Sequence, residues 1–346
     1  MLTTALASSI LYLLTRCPPA LEPYVQKILS NLPLNSQLAS YLTNNRPLLI
    51  TLLKAFIALG LIHNASSLLT SVALNNWQWR SDKYQWEWSK EVAVVTGGCS
   101  GIGEEIVKGL KRRGVRVVVL DVQEVPERLK DDVALYCHCD VTSPESVHSA
   151  SLQIKEHFPD TPPSILINNA GIGHDFPIFS PPIDKLKKLI DVNLTSHWIT
   201  CAEFCPGMVE RNKGHVVEVA SMSSFVSVGR FSDYSAGKAA LVSFSESLRD
   251  QLQRYYHAPN VHVTTVHPLW VSTPLVAYRK DQIEQASGKM MTPQRVAGEI
   301  VDQIFRCKGA RLIIPGSFGW LRGTRAWPVW MLDLLKRSNG LDGDEK

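Results

Sequence analysis

Val92-Ala93-Val94-Val95-Thr96-Gly97-Gly98-Cys99-Ser100-Gly101-Ile102-Gly103 is the stretch that decides the fold. An apolar run of strand length breaks into a glycine-rich turn, and a helical pattern, Gly101–Arg113, follows at once. Missing side chains at Gly97, Gly101 and Gly103 let the backbone bend sharply and approach a bound group closely. The helix N-terminus beyond them stabilises negative charge, so the segment reads as a pyrophosphate cradle.

Further apolar runs repeat the pattern. Val115–Leu120, Ile165–Ile167, Val216–Ala220, Val261–Val266 and Leu312–Ile314 are apolar on both faces, as strands of a covered parallel sheet are. Helical stretches lie between them, among them Ile183–Arg211 and Ser232–Tyr256. The order predicts an α/β fold, a Rossmann-type doubly wound parallel sheet in a single domain with ligands at the carboxyl ends of its strands. That domain covers residues 90–316, between a hydrophobic N-terminal extension (1–89) and a C-terminal aromatic arm (317–346).

Asp121 ends the second apolar run, where a carboxylate bonds the adenosine ribose hydroxyls. It would repel a 2′-phosphate, and the turn offers no Arg or Lys to attract one, so NAD is expected and NADP is disfavoured. Downstream, Ser221 stands thirteen residues before Tyr234, and Lys238 one helical turn after it. Taking hydride from an alcohol carbon requires taking the hydroxyl proton, and a free tyrosine with a pKa of about 10 is a poor base. A cation one turn away favours phenolate, and a serine donor stabilises developing alkoxide. Run backwards, Tyr234 is the acid.

With these motifs in order, residues 91 to about 315 resemble the short-chain dehydrogenase/reductase family. Thr96, Gly97, Ser100, Gly101, Ile102 and Gly103 match its glycine turn, Asp140-Val141 its adenine-contacting segment, and Asn168-Asn169-Ala170-Gly171 the end of its fourth strand. Asn193, Ser221, Tyr234 and Lys238 match its catalytic tetrad. The resemblance implies that Lys238 also bonds the nicotinamide ribose, that Asn193 helps hold a water in the proton path, and that Val271 and Thr273 contact the carboxamide. It also implies homodimers paired through helices at 191–212 and 232–256. The two ends of the chain further resemble the membrane-bound retinol and hydroxysteroid dehydrogenase branch. That implies an endoplasmic reticulum or lipid-droplet protein whose catalytic domain faces the cytosol.

Two positions depart from the family. Leu269-Trp270 follows Pro268 where glycine is usual, so the backbone is expected to shift and Trp270 to wall the substrate pocket. Glu218 replaces an apolar or amide residue; it either faces solvent at an edge or needs a buried partner.

The rest of the chain narrows the partners. A formal charge of +4, without a basic stripe interleaved with aromatics, excludes nucleic acid as the expected partner. Seven cysteines without a CxxC pair fit neither a disulfide framework nor a zinc site, and His138 on a strand would face away from Cys137 and Cys139, so no metal is expected. Ala55–Trp79 lacks Lys, Arg, Asp and Glu and is long enough to span a membrane. Trp77, Trp79, Tyr84, Trp86 and Trp88 lie among Arg80, Lys83 and Lys90, as rings and cations do at headgroup level. Two readings stand for this region, a membrane anchor or an accessory helical hairpin, and the Trp pairs also suit a short strand pair. In the arm, Phe318, Trp320, Trp327 and Trp330 mixed with Arg322, Arg325, Lys336 and Arg337 suit an interfacial helix, a lid at the substrate mouth, or plain packing. Residues 272–291 are expected to form an apolar lid. The substrate class is a lipophilic alcohol or ketone, of retinoid, sterol or long-chain type. Rivals are an NADPH-dependent ketone reductase and a nucleotide-binding scaffold without turnover.

Overall fold

The computed structural model describes residues 45–176, 178–227 and 229–338. The apolar start Met1–Thr15, Cys17 and the end Gly340–Lys346 lie outside them. Contacts fall into two compact units that meet in sequence at Ala73 and Leu74.

Helix α1 (Arg46–Leu74), which lies in the first unit up to Ala73, carries a stretch, Ile50–Leu74, of 25 residues and mean hydropathy 1.5, most of it exposed. At 1.5 Å per residue it rises about 37 Å, more than a bilayer core of about 30 Å. By length and composition it can cross a membrane.

The second unit is built on seven parallel strands: β1 (Val92–Thr96), β2 (Arg116–Asp121), β3 (Leu135–His138), β4 (Ile165–Asn168), β5 (Gly214–Val219), β6 (Val261–Pro268) and β7 (Ala310–Ile314), in spatial order 3-2-1-4-5-6-7. Strand alternation supplies two apolar faces. Val95, Val117, Val119, Ile167 and Val217 pack against α2 (Gly101–Arg112) and, near the carboxyl end, α8 (Pro293–Ile304). Val94, Val118, Leu120, Leu166 and Val216 meet α3 (Pro144–His157), α5 (Ser196–Glu210) and α6 (Ser232–Asp250). Each fully buried Val, Leu or Ile stabilises by about 1.5–3 kcal/mol, which is why the strands read as unbroken apolar runs. The order of the sheet reverses between β1 and β4, and the carboxyl ends of those strands flank the crevice.

Several boundaries sharpen the sequence reading. β5 starts at Gly214 and β7 at Ala310, each two residues early, because Val261 and Thr264 of β6 pair with them. The pattern Ile183–Arg211 forms α4 (Ile183–Ile190), a π-helical turn at Asp191–Thr195, and α5. A second π turn, Gln251–Tyr255, follows α6. β3 buries Cys137 and exposes His138, and Cys139 just beyond is buried too. Among the described residues no cluster of three or more His, Cys, Asp or Glu suits a metal.

The strand pair suggested by the tryptophans does not form. Short 3-10 turns at Lys83–Gln85 and Trp88–Lys90 occur instead. Trp86 is buried and stacks on Trp88 at 5.1 Å, Trp88 stacks on Phe305 at 3.9 Å, and the Lys213 ammonium lies 5.0 Å over the Trp86 ring. Distant partners thus draw these two rings into the core, while Trp77, Trp79 and Tyr84 stay exposed.

Candidate active site

The glycine turn is held from below by backbone. Gly97 and Gly101 have φ of 62° and 58°, in the left-handed region that favours glycine. A Cβ on Gly103 would lie 2.1 Å from the Gly97 carbonyl oxygen, and one on Gly97 2.8 Å from the Ala170 Cα. Thr96 Oγ1 accepts from the N–H groups of Asn169 and Ala170, each at 3.0 Å, and Asn169 Nδ2 donates to the carbonyls of Thr96 and Gly97 at 3.1 and 3.0 Å. The Asp121 carboxylate accepts from the N–H of Cys99 and of Gln123, both at 2.9 Å. Asp140 accepts from the Thr142 N–H at 2.9 Å and its hydroxyl at 2.7 Å, and the first of these bonds chiefly holds its carboxyl below the usual range. Each carboxylate is therefore oriented by its own loop.

One cavity of about 940 Å³ runs from this turn to the second half of the site. Gly97, Ser100, Gly101, Ile102, Asp121, Asp140, Val141, Asn169, Ala170, Gly171, Ser221, Tyr234, Lys238, Val271 and Thr273 all line it. Thr96, Gly103 and Asn193 stand behind the wall and support it. Asn193 sits in the π turn, a feature that often marks functional positions, and is fully buried. Its amide accepts from the Ile172 N–H at 2.8 Å and donates to the Ile172 carbonyl at 2.7 Å, fixing the loop after Gly171.

Tyr234 and Lys238 lie one turn apart on α6, with Lys238 Nζ 5.7 Å from the centre of the tyrosine ring and donating to the Val219 carbonyl at 2.7 Å. Burial pushes the Tyr234 phenol up to about 12, against the pull of its hydrogen bond with Ser221. Burial pushes Lys238 down to about 8, against the attraction of Glu218. The lowered tyrosine pKa expected from the sequence is thus outweighed by desolvation. Glu218 is completely buried, not at a solvent edge, and has partners in Asn168 and His197.

The substrate side is apolar. Leu269 joins Met222, Phe225, Val226 and Leu321, with Phe318, Leu332 and Leu335 around them. The residue that replaces glycine is therefore a knob for the arm, while the Leu269 N–H still bonds the Ile314 carbonyl at 2.8 Å. Trp270 lines the cavity as expected and packs with Leu275, Val276, Ile283 and Met290 of the lid, whose helix is α7 (Lys280–Ser287). Arg230 and Arg279 both pair with Asp175, tying the lid to the loop after β4. In the arm, 3-10 turns over Gly316–Ala326 lead to α9 (Val329–Ser338). Arg325 Nε donates to the Ser224 carbonyl at 2.9 Å, and Phe318, Trp320, Leu321 and Leu335 line the cavity. The arm is both packed and a wall of the mouth. Met222, Val226, Phe231 and His174 also line it and carried no motif to reveal them.

A glycine cradle at the switch point, an acidic residue at the end of β2 and a Ser–Tyr–Lys cluster define a nucleotide-dependent oxidoreductase. Residues 91–284 match the short chain dehydrogenase family, and the chain belongs to it. It binds NAD(P) and acts on CH–OH groups, as that family does. The chain is 39% identical over 211 residues to dehydrogenase RED2 of Cochliobolus heterostrophus, covering 61% of this chain and 77% of that one. It is 26% identical over 258 residues to estradiol 17-beta-dehydrogenase 11 of Rattus norvegicus, covering 71% and 83%. A short-chain type dehydrogenase/reductase from Mycobacterium marinum superposes with a TM-score of 0.58 at 23% identity, over 66% of this chain and 95% of that one, a likeness of fold.

Proposed function

We propose that the protein transfers hydride between NAD and a lipophilic alcohol or ketone, with Tyr234 as general acid and base. The observation that carries this reading is a single cavity with the glycine cradle at one end, Ser221, Tyr234 and Lys238 in its wall, and apolar side chains around the rest. Gly97, Ser100, Gly101 and Ile102 would hold the pyrophosphate, Asp121 the adenosine ribose, and Asp140 and Val141 the adenine. Asn169, Ala170 and Gly171 would form the floor, Lys238 would hold the second ribose, and Val271 and Thr273 the carboxamide. Bound there, the dinucleotide supplies or accepts the hydride.

The chain's own residues handle the proton. Ser221 donates to the substrate oxygen as charge grows on it, and Tyr234 gives or takes the proton at that oxygen. A phenol lifted to about 12 keeps its proton at working pH, so the proton that ketone reduction consumes is in place, held by a weaker acid than free tyrosine. In oxidation the Lys238 charge and the Ser221 bond must offset burial. Asn193 serves by fixing the Ile172 backbone, and any water it holds in the proton path meets that loop.

NAD is favoured over NADP because Asp121 would repel a 2′-phosphate, and its cavity-lining neighbours Val122 and Gln123 bring no cation. Arg128, the first basic residue after the strand in sequence, is forked onto Glu104 at 2.7 and 2.8 Å. The lipophilic substrate is supported by the apolar wall and by a relative named for a steroid alcohol. Membrane association is supported by α1 and by the exposed Trp320, Trp330 and Leu334 of the arm, and we propose the endoplasmic reticulum or a lipid droplet as the place, with the catalytic domain facing the cytosol. An N-terminal anchor region, a catalytic domain and an aromatic arm are thus the division we adopt. Pairing of two copies through α5 and α6 is supported by Trp198, exposed on α5 and packed on Phe244 of α6 at 4.4 Å.

The test is NAD- and NADP-linked turnover by the detergent-solubilised full chain over alcohols and ketones of increasing apolar size. NAD-linked turnover that strengthens with apolar size is expected. Turnover confined to NADP, or to small hydrophilic alcohols, would overturn the reading.

A further inference from the structure

Glu218 lies on β5 three residues before Ser221, and no solvent reaches it. A buried carboxylate is costly unless its surroundings supply donors, and here they do. Asn168 Nδ2 donates to Oε1 at 3.0 Å, His197 Nδ1 pairs with Oε2, and the Cys201 thiol points at Oε1 from 3.8 Å. Thr200 Oγ1 lies 2.8 Å from Asn168 Oδ1 and 2.9 Å from the Ser196 carbonyl oxygen, so the amide is tied to α5 as well as to the carboxylate. Each of these groups can donate to the carboxylate, so they satisfy its ionised form.

The partners come from two elements behind the site, β4 and α5. Asn168 ends β4, and the next residue, Asn169, holds the glycine turn. His197 stands one turn after Asn193 on α5, its ring edge-on to Phe244 of α6 at 6.2 Å. Val219, adjacent to Glu218, accepts the Lys238 ammonium. The titratable groups that bear on Lys238 are Glu218 from β5, His267 from β6 and Tyr234 from its own helix, with His197 and Cys201 of α5 behind Glu218. Burial brings His267 down to about 4, so it is neutral at working pH. Of these groups, Glu218 supplies the negative charge.

We propose that Glu218, partnered by His197, is a positioning residue for hydride transfer: it locks β4, β5 and α5 together beneath the site and sets a fixed negative charge behind Lys238. This rests on the proposed alcohol–ketone chemistry at Tyr234 and Lys238. A residue of pure packing would need no charge, and an amide of the same size would replace it without effect on protonation.

The experiment compares the detergent-solubilised full chain with Tyr234→Phe, Glu218→Gln, Glu218→Asp and His197→Gln, reading kcat against pH, NADH affinity and thermal midpoint. Glu218→Gln keeps the length and the acceptor for Asn168 but removes the charge. It is expected to leave NADH affinity within about twofold and to lower kcat about ten- to a hundredfold, the usual cost of a slight misplacement. Its high-pH limb should move to lower pH, because Lys238 loses its proton sooner without the carboxylate. Glu218→Asp should return that limb towards wild type. An unshifted limb in Glu218→Gln overturns the proposal, whether kcat stays intact or falls together with the thermal midpoint. Should Glu218→Gln not fold, His197→Gln decides: a reduced kcat with no lowering of the limb supports the lock, and a wild-type kcat overturns it. Turnover that survives Tyr234→Phe instead sinks the underlying chemistry, so the two failures are told apart.

Discussion

At the glycine end of the cavity the walls are made of backbone; at the substrate end they are made of side chains. Thr96, Asn169 and Asp121 hold the first by hydrogen bonds of 2.9–3.1 Å to main-chain groups. Leu269, Leu321, Val226 and Trp270 hold the second by apolar contact. Backbone walls tolerate few residue types, because one methyl group closes the gap. Apolar walls accept many, because volume matters more than identity. The first end therefore suits one ligand shared by a whole family, and the second can follow a changing substrate.

The largest effect expected from this contrast is at Gly103. Gly103→Ala places a methyl carbon 2.1 Å from the Gly97 carbonyl oxygen, where backbone must move. NADH affinity should fall at least about a hundredfold by fluorescence titration, a cost within the range for overpacking. Affinity within a few-fold of wild type would show that the cradle is softer than its contacts imply.

Asp121→Ala should weaken NAD about ten- to thirtyfold through the lost charged hydrogen bonds to ribose, and weaken NADP less. Ratios of kcat/KM for the two coenzymes check it, and an unchanged ratio would remove Asp121 from the choice. On the apolar side, Leu321→Ala should raise KM for a long-chain alcohol by about tenfold, the worth of a few buried methylenes at most. NADH affinity should stay put. Equal loss of both would mean that the two ends are one mechanical unit.

The smallest effect concerns Glu104 on α2, whose carboxyl the Arg128 fork above all, then Lys108, holds down to about 2. A depressed carboxyl contributes stability that is complete above its ordinary 4.5 and lost as pH falls towards 2. Glu104→Gln should therefore cost about 1–2 kcal/mol in urea unfolding at pH 7, allowing for the exposed Arg128 partner, and only a small part of that by pH 2. A pH-independent difference would assign Glu104 to packing alone.

The same contrast explains what the sequence disclosed. The glycine turn, Asp121 and the Tyr234–Lys238 pair are legible because each is a local requirement of backbone or helix spacing. The contacts of the arm are not: Arg325 reaches Ser224 across 101 positions, and Thr324 reaches Phe225 across 99. Trp86 and Trp88 read as headgroup aromatics because Phe305, the ring that draws them inward, lies far along the chain. Glu218 stood out as a departure, but its answer, His197, has no motif. The tyrosine pKa is illegible for a related reason, since spacing reveals the lysine neighbour and not the desolvation that outweighs it.

In the proposed reaction Tyr234 moves the proton, while it shares the holding of the coenzyme with many other cavity-lining residues. The most direct measurement is kcat for a lipophilic alcohol, beside NADH affinity, in Tyr234→Phe and the wild-type chain. The expected result is a loss of about a hundred- to ten-thousandfold in kcat, the range for a general acid or base, with NADH affinity within about twofold. Turnover within a few-fold of wild type in Tyr234→Phe would contradict it.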